Sequence, residues 1–310
     1  MKQNNLKGSL ILITAALIWG LAFVAQSGAA DLVPPFIFNA LRSFIGAFAL
    51  YLFWLFINRK DKKPFFPDNK PVRKNYYIGG IVCGLCLAVS VNFQQFGIAF
   101  YPKGVASEAR AGFLTALYVI LVPIFSVFAR KKLNPIIWIA VFIALFGVYK
   151  LCFSGGFDKI YLGDILVFFC AICFSLHIMA VDKYVGFTGG VKLSIMQFLI
   201  CGAISLILSL MFEIPQISIS NILSATPQIL YLGIMSSGVA YTLQIVGQKY
   251  AEAAVASISM SLESVFAALG GWIISGNSLF ASEILGCTLV FVAITVAQIP
   301  EFVKKQDQYS

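Results

Sequence analysis

Residues 9–27, SLILITAALIWGLAFVAQS, form the first of ten long apolar stretches in this chain of 310 residues. The hydrocarbon core of a bilayer is about 30 Å thick, and a helix needs about 20 apolar residues to cross it. Inside lipid every backbone N–H and C=O must be bonded within its own segment, so such stretches are helical. The sequence predicts an all-α polytopic membrane protein with ten transmembrane helices, near residues 9–27, 35–57, 76–98, 105–128, 134–153, 160–181, 191–212, 227–247, 253–274 and 281–300.

The composition supports this prediction. Hydrophobic residues make up 60% of the chain and charged residues only 11%, whereas a soluble domain carries about 25% charged residues. A membrane β-barrel would show short segments of alternating polarity, and the chain has none. The connections are too short for a soluble domain, and the longest is the charged loop 58–75.

The net charge of +9 is distributed unevenly between the two sides of the predicted membrane. Apart from Arg42 and Arg110, the basic residues lie almost entirely on one side, in or next to alternate gaps, and only Lys103, Lys150 and Lys159 lie on the other side. Positively charged loops stay in the cytoplasm, so we expect both termini to be cytoplasmic in a cell membrane of the bacterial inner-membrane type. The excess charge then reflects topology and contact with membrane lipid, and we expect no nucleic-acid partner.

The two halves of the chain resemble each other at an offset of about 150 to 156 residues. Gly97 precedes Val105-Ala106-Ser107 by eight residues, and Gly247 precedes Val255-Ala256-Ser257 by the same distance. Asn92-x-Gln94 likewise corresponds to Thr242-x-Gln244. An odd number of spans in each unit inverts the second unit, an architecture typical of secondary transporters. We therefore predict two inverted five-helix repeats, at 9–153 and 160–300, and a cytoplasmic tail at 301–310.

Three segments resemble a known family. They are Ala16-Leu17-Ile18-Trp19-Gly20-Leu21-Ala22-Phe23 in span one, Ala40-Leu41-Arg42 in span two, and residues 257–268, SISMSLESVFAA, in span nine. With the ten spans and the duplication, the chain resembles the ten-helix EamA-type permeases of the drug/metabolite transporter superfamily. The resemblance implies a central cavity lined mainly by spans one, three, four, six, eight and nine. It also implies export or exchange of amino acids and other small metabolites. Small multidrug-resistance relatives carry a glutamate in their first span, but span one here has no carboxylate.

Two arginines are predicted to lie inside the membrane, where a charge costs several kcal/mol and needs a partner or a watery cavity. Arg42 lies roughly 12 Å and Arg110 roughly 8 Å from the outer ends of their spans, at about 1.5 Å per residue. A guanidinium suits a carboxylate or phosphate group. Each arginine therefore either binds an anionic substrate group or forms an ion pair that holds helices together.

Glu263, Glu108 and His177 are the other titratable candidates within the spans. Glu263, about ten residues into span nine, is predicted to take a substrate ammonium or a coupling proton, or to hydrogen-bond neighbouring helix ends. Glu108 lies nearer the water and on a different helical face from Arg110. His177 either lines the cavity or packs in the bundle. It shares a helical face with Cys170 and Cys173, yet cysteine is a common small residue in apolar helices. We predict no metal and no cofactor.

A neutral polar set completes the candidate substrate-binding residues: Trp19, Asn92, Gln94, Gln95, Tyr241 and Gln244. Such groups either hydrogen-bond a zwitterion or link helices across the bundle. Both interpretations stay open at this point.

We expect a secondary transporter, most simply an exporter of small metabolites such as amino acids, that works by alternating access. The alternative is a polytopic membrane enzyme or receptor acting on lipid or a small-molecule ligand. No H-E-x-x-H helix, aspartate cluster or G-x-x-x-x-G-K-[ST] loop occurs, which argues against an enzyme and against ATP as the fuel. The expected partners are a small-molecule substrate and membrane lipid, with the protein a monomer or homodimer.

Overall fold

The computed structural model describes residues 4–59, 64–66, 69–102, 107–152, 159–187, 189–275 and 281–306. Side chains at 108–109, 151–152, 271–275, 283 and 301–306 lie outside this description. Eight stretches within it are long and apolar enough to cross a membrane, and two shorter apolar helices, Pro135–Lys150 and Ile284–Pro300, complete the set of ten. The prediction of a polytopic all-α membrane protein with ten helices is confirmed.

Seven spans are single α-helices: span one Asn5–Ala30, span two Pro35–Ile57, span three Lys70–Ala99, span five Pro135–Cys152, span six Leu162–Tyr184, span seven Gly190–Phe212 and span ten Ala281–Gln306. Three are interrupted: span four (Ser107–Ala116, Tyr118–Phe128), span eight (Thr226–Tyr231, a π-helical segment Leu232–Ala240, Tyr241–Gln248) and span nine (Ala253–Met260, Leu262–Ser275). A 3₁₀ turn, Ile214–Gln216, and a short helix, Ile219–Ser224, connect spans seven and eight.

Several helices extend beyond their predicted apolar limits. Span three begins at Lys70 because Asn69 caps it, accepting the Val72 N–H, and a proline occupies the first turn. Span ten continues to Gln306, into the predicted tail. A helix has no physical need to stop where the apolar run stops, so hydropathy places the membrane but not the helix ends.

Many large side chains point away from the bundle, while many of the buried positions hold small residues. Phe48, Phe56 and Phe128 are more than 60% exposed, whereas Ala15, Ala16 and many serines are fully buried. Lipid tails are as apolar as leucine, so helices in a membrane associate through close packing and hydrogen bonds rather than through a hydrophobic drive. This arrangement matches a bundle that presents its phenylalanines to lipid.

Two helix crossings bring backbones into contact. A Cβ built on Gly163 of span six would lie 2.6 Å from the carbonyl oxygen of Gly97 in span three. A Cβ on Gly8 of span one would lie 2.9 Å from the carbonyl oxygen of Gly247 in span eight. These residues correspond in the sequence repeat, at offsets of about 150 and 155, so each half contributes the same partners to an equivalent crossing.

A polar contact is duplicated in the same way. Asn39 Nδ2 of span two donates to Asn92 Oδ1 of span three at 2.9 Å. Thr242 Oγ1 of span eight donates to Ser194 Oγ of span seven at 2.9 Å. Spans two and seven pack against each other, as do spans five and ten, so corresponding spans of the two halves meet.

Candidate functional site

A cavity lined by both polar and apolar side chains lies within the bundle. Its walls come from spans one, three, four, six, eight and nine, with Arg42 added from span two; the lining residues are Trp19, Ala22, Phe23, Gln26, Arg42, Gln94, Thr115, Tyr118, Phe174, Ile178, Ser236, Tyr241, Gln244, Met260 and Glu263. The first six spans are those that the family resemblance implies. The cavity volume is about 40 Å³, which is room for about three water molecules.

All three interrupted spans reach this cavity. Span four breaks at Leu117, between the lining residues Thr115 and Tyr118, and span nine breaks at Ser261, between Met260 and Glu263. The π-helical segment of span eight contributes Ser236. Irregular backbone at membrane depth is tolerated where it is buried in protein or lines a cavity, and π-helical segments recur at functional sites.

Glu263 is the only carboxylate among the described residues that line the cavity, and it is 4% exposed. Its Oε1 accepts a hydrogen bond from the Tyr118 hydroxyl at 2.9 Å. Among the described residues no cation pairs with it. A buried carboxylate with one neutral donor keeps a strong demand for positive charge.

Arg42 is the only cation among these lining residues, and it is 3% exposed. Its Nη1 donates to Gln26 Oε1 at 3.4 Å, a long bond, and its guanidinium lies 5.9 Å from the centroid of the Phe38 ring. The Nε–H has no described partner. The guanidinium is therefore held in place with part of its donor capacity unused.

The neutral predicted residues in the cavity wall are Trp19, Gln94, Tyr241 and Gln244. Gln94 donates to Thr115 Oγ1 at 3.1 Å and Gln244 donates to Gln248 Oε1 at 3.1 Å. The rings of Trp19 and Tyr241 pack edge to face, 4.8 Å apart. Trp19 Nε1 and Gln244 Oε1 have no described partner, so the wall offers one further donor and one further acceptor.

Three other predicted residues lie outside the cavity wall and link helices. Asn92 donates to Ser205 Oγ at 2.9 Å and to the Ala88 carbonyl oxygen at 2.7 Å. Gln95 donates to the Gln26 carbonyl oxygen at 3.3 Å. His177, fully buried, bonds Gln197 Oε1 at 3.0 Å. Glu108 lies outside the residues whose side chains are described.

Arg110 is also absent from the cavity wall. Its Nε and Nη2 bond the two carboxylate oxygens of Asp164 in span six at 3.0 and 2.7 Å. Asp164 also accepts from the Tyr101 hydroxyl at 2.8 Å and from the Tyr161 N–H at 2.8 Å. Burial raises the pKa of the Tyr101 phenol, and the bond to Asp164 raises it further, so the phenol stays protonated as a donor. The ion pair thus joins span four, which contains Arg110, to span six, which contains Asp164.

The sequence analysis did not single out Tyr118, Thr115 or Ser236 as site residues. Thr115 and Tyr118 flank the interruption of span four at Leu117, and neither residue type is distinctive enough in a membrane helix to have been predicted. Ser236 carries no distinctive signal either. Among the described residues no group of three histidines, cysteines, aspartates or glutamates is arranged to hold a metal ion.

A ten-span helical bundle around a cavity lined by both polar and apolar side chains defines a multi-pass membrane protein with an internal site. The model of the EamA-like transporter family matches residues 6–152 and 161–298, and the chain belongs to that family of membrane transporters.

Named relatives agree with this assignment. The chain is 28% identical over 306 residues to an uncharacterized transporter of Archaeoglobus fulgidus, covering 96% of this chain and 87% of the relative. It is 25% identical over 296 residues to the uncharacterized transporter YoaV of Bacillus subtilis, covering 93% and 95%. A protein crystal structure with 23% identity superposes with a TM-score of 0.73 over 94% of this chain and 98% of the other, a likeness in fold.

Proposed function

We propose that the protein is a secondary carrier that exports small zwitterionic metabolites, with amino acids as the simplest substrates. The observation that carries the proposal is the presence, in one cavity, of an acidic and a basic side chain that have no ion-pair partner among the described residues. Arg42 and Glu263 both line it, and neither forms an ion pair with any described residue. A molecule with a carboxylate and an ammonium group would supply both missing partners.

The unused hydrogen-bonding atoms support the same substrate class. Arg42 Nε–H and Trp19 Nε1–H are donors without a described partner, suited to a carboxylate. Gln244 Oε1 is an acceptor without one, and together with Glu263 it suits an ammonium group. A buried polar atom without a partner costs about 1–3 kcal/mol, so a ligand that satisfies several of them gains affinity.

The size of the cavity bears on the mechanism. A volume of about 40 Å³ is far below the roughly 300–1,000 Å³ of an ordinary ligand site. The cavity is therefore too small for a substrate as it stands, and we propose that helices separate on one face before a substrate enters. We propose alternating access, in which opening on the two faces is mutually exclusive.

We propose that residues 9–153 and 160–300 act as the two inverted repeats of this mechanism. The duplicated glycine crossings and the paired Asn39–Asn92 and Ser194–Thr242 contacts support it. In such transporters one repeat rocks against the other around a fixed midplane site. Both termini are proposed to be cytoplasmic in the cell membrane, with the protein a monomer or homodimer whose partners are its substrate and membrane lipid.

Counterflow in proteoliposomes tests the substrate class. Vesicles preloaded with a zwitterionic amino acid should accumulate labelled amino acid, while the matched amine and the matched carboxylic acid exchange at least tenfold more slowly. Arg42→Met should abolish amino-acid exchange, and Arg42→Lys should restore little because lysine lacks the planar fork. Arg59→Met, at the end of span two, is the control. Equal exchange of the singly charged analogues, or full exchange by Arg42→Met, would refute the proposal.

A further inference from the structure

The ion pair between Arg110 and Asp164 lies outside the cavity wall, on two of the spans that line the cavity. Asp164 precedes the cavity-lining Phe174 of span six by ten residues, about 15 Å along the helix. Arg110 lies near the start of span four, eight residues before Tyr118. The pair therefore joins spans four and six at one face of the bundle, above the cavity.

The sequence repeat relates this position to the opposite face. Ser9 corresponds to Asp164 at an offset of 155, and it precedes Trp19 of the cavity wall by ten residues. Ser259 Oγ bonds Ser9 Oγ at 2.8 Å, which joins span nine to span one, and Gln298 Nε2 donates to the same hydroxyl at 2.8 Å. All three side chains are at most 5% exposed. Spans nine and one are the counterparts of spans four and six.

We infer that these two contacts are the gates of the carrier, with Arg110–Asp164 closing the predicted outer face and Ser9–Ser259–Gln298 closing the predicted inner face. Both contacts are made in this structure, and the cavity between them is too small for a substrate. This inference goes beyond the proposed substrate and assigns Arg110 to gating instead of to substrate binding.

The chemistry of the two gates differs. The outer gate has two charge-assisted bonds to one carboxylate, which also accepts from Tyr101 and from the Tyr161 N–H. The inner gate has neutral bonds alone. Charge-assisted bonds are about twice as strong as neutral ones, so separating the outer contact costs more. The resting population is therefore biased toward opening on the inner face, where an exported substrate would enter.

Spans four and six are also joined at their other ends, where Lys131 pairs with Asp182. Lys131 is 47% exposed in its side chain, and exposed pairs contribute little to stability. Lys131→Ala is accordingly a matched control, because it removes a pair between the same two spans at the opposite face.

Thiol accessibility tests the outer gate without any knowledge of the substrate. The reporter is Ala22→Cys, a small lining residue, in a variant lacking the seven native cysteines, labelled from outside with a membrane-impermeant maleimide. Arg110→Ala and Asp164→Asn should each raise the labelling rate roughly tenfold, the effect of about 1.4 kcal/mol. The exchange Arg110→Asp with Asp164→Arg should return the rate toward that of the parent, and Lys131→Ala should leave it unchanged.

The inner gate has its own variants. Ser9→Ala with Ser259→Ala should raise labelling when the impermeant maleimide is added to inverted vesicles, whose exposed surface is the predicted inner face. The same variant should leave labelling from the predicted outer face unchanged. The unfolding temperature of each variant is measured beside that of the parent, and a variant that matches the parent has not lost its fold. Unchanged outer labelling in both Arg110→Ala and Asp164→Asn would overturn the inference. Absence of amino-acid exchange in the counterflow assay would refute the zwitterion proposal and would not affect the labelling result.

Discussion

The hydroxyl of Tyr118 donates to Oε1 of Glu263 across 2.9 Å, and this bond joins span four to span nine at the wall of the cavity. Both residues follow an interruption, Tyr118 directly after Leu117 and Glu263 two residues after Ser261. The two proposed repeats each contribute one of these broken spans. In the proposed mechanism, a carboxylate at this junction interacts both with the substrate and, through Tyr118, with the other half of the bundle.

Replacing Glu263 tests this role. In Glu263→Gln we expect zwitterion exchange to fall at least tenfold, because an amide cannot neutralise an ammonium group. We expect the unfolding temperature to stay level or rise, since an uncharged amide is cheaper to bury than a carboxylate with one donor. Thermal unfolding in detergent and counterflow measure the two effects. Normal exchange by Glu263→Gln would remove Glu263 from the site.

Tyr118→Phe is the companion variant. It deletes the one described donor to Glu263, and leaving that carboxylate unsatisfied should cost about 1–3 kcal/mol of stability. Tyr51→Phe, with an exposed ring, is the control and should change little. If Tyr118→Phe were as stable as the control, the bond would contribute nothing measurable.

Glu213, at the end of span seven, forms hydrogen bonds with the start of span two. Its Oε1 and Oε2 accept the N–H groups of Phe36 and Ile37, both at 2.8 Å, and it is 4% exposed. A carboxylate at a helix N-terminus also interacts favourably with the helix dipole.

We expect Glu213→Ala to lower the free energy of unfolding by about 1–3 kcal/mol, because two N–H groups lose their acceptor. Glu213→Gln should lose less, since one amide oxygen remains. Chemical denaturation in detergent measures both, with Asp31→Ala as control, because Asp31 is exposed and lies shortly before the start of span two. Equal stability of the alanine variant and the control would contradict this stabilising role of Glu213.

The glycine crossings predict a second set of stability changes. Gly8→Ala and Gly163→Ala would each place a methyl group under 3.0 Å from backbone oxygen of the facing helix. Backbone cannot move aside as a side chain can, so each should cost about 1–3 kcal/mol through overpacking. Gly112→Ala, with nothing within 4 Å of the new atom, should be neutral or stabilising by up to about 1 kcal/mol. A uniform response in all three would show that the crossings are not tight.

Much of the fold was predictable because the free energy of placing a segment in lipid depends mainly on that segment's own residues. The ten spans follow from local apolar runs, and the residues Ala16–Phe23 and 257–268 led to the family. The limits of spans three and ten were not predictable in this way, since caps and polar helical ends lie beyond the reach of hydropathy.

Some residues of the candidate site were predictable from the sequence and others were not. Arg42, Gln94, Gln244 and Glu263 were accessible to sequence reasoning because a charged or amide side chain at membrane depth is costly and so is informative wherever it occurs. Tyr118 was not, since tyrosine is common at many positions in membrane helices. Its importance comes from facing Glu263, a residue 145 positions away.

The sequence by itself determined a membrane protein of ten helices in a transporter family, because partition of apolar segments into lipid is a local property. Arg42 and Arg110 looked alike at that level, each a guanidinium in the predicted outer half of the membrane. The tertiary structure alone separated them. Asp164, 54 residues from Arg110, folds against that arginine and bonds it, while Arg42 pairs with no carboxylate of the described residues and lines the cavity. Which charge is matched depends on distances between helices, and no local pattern encodes those distances.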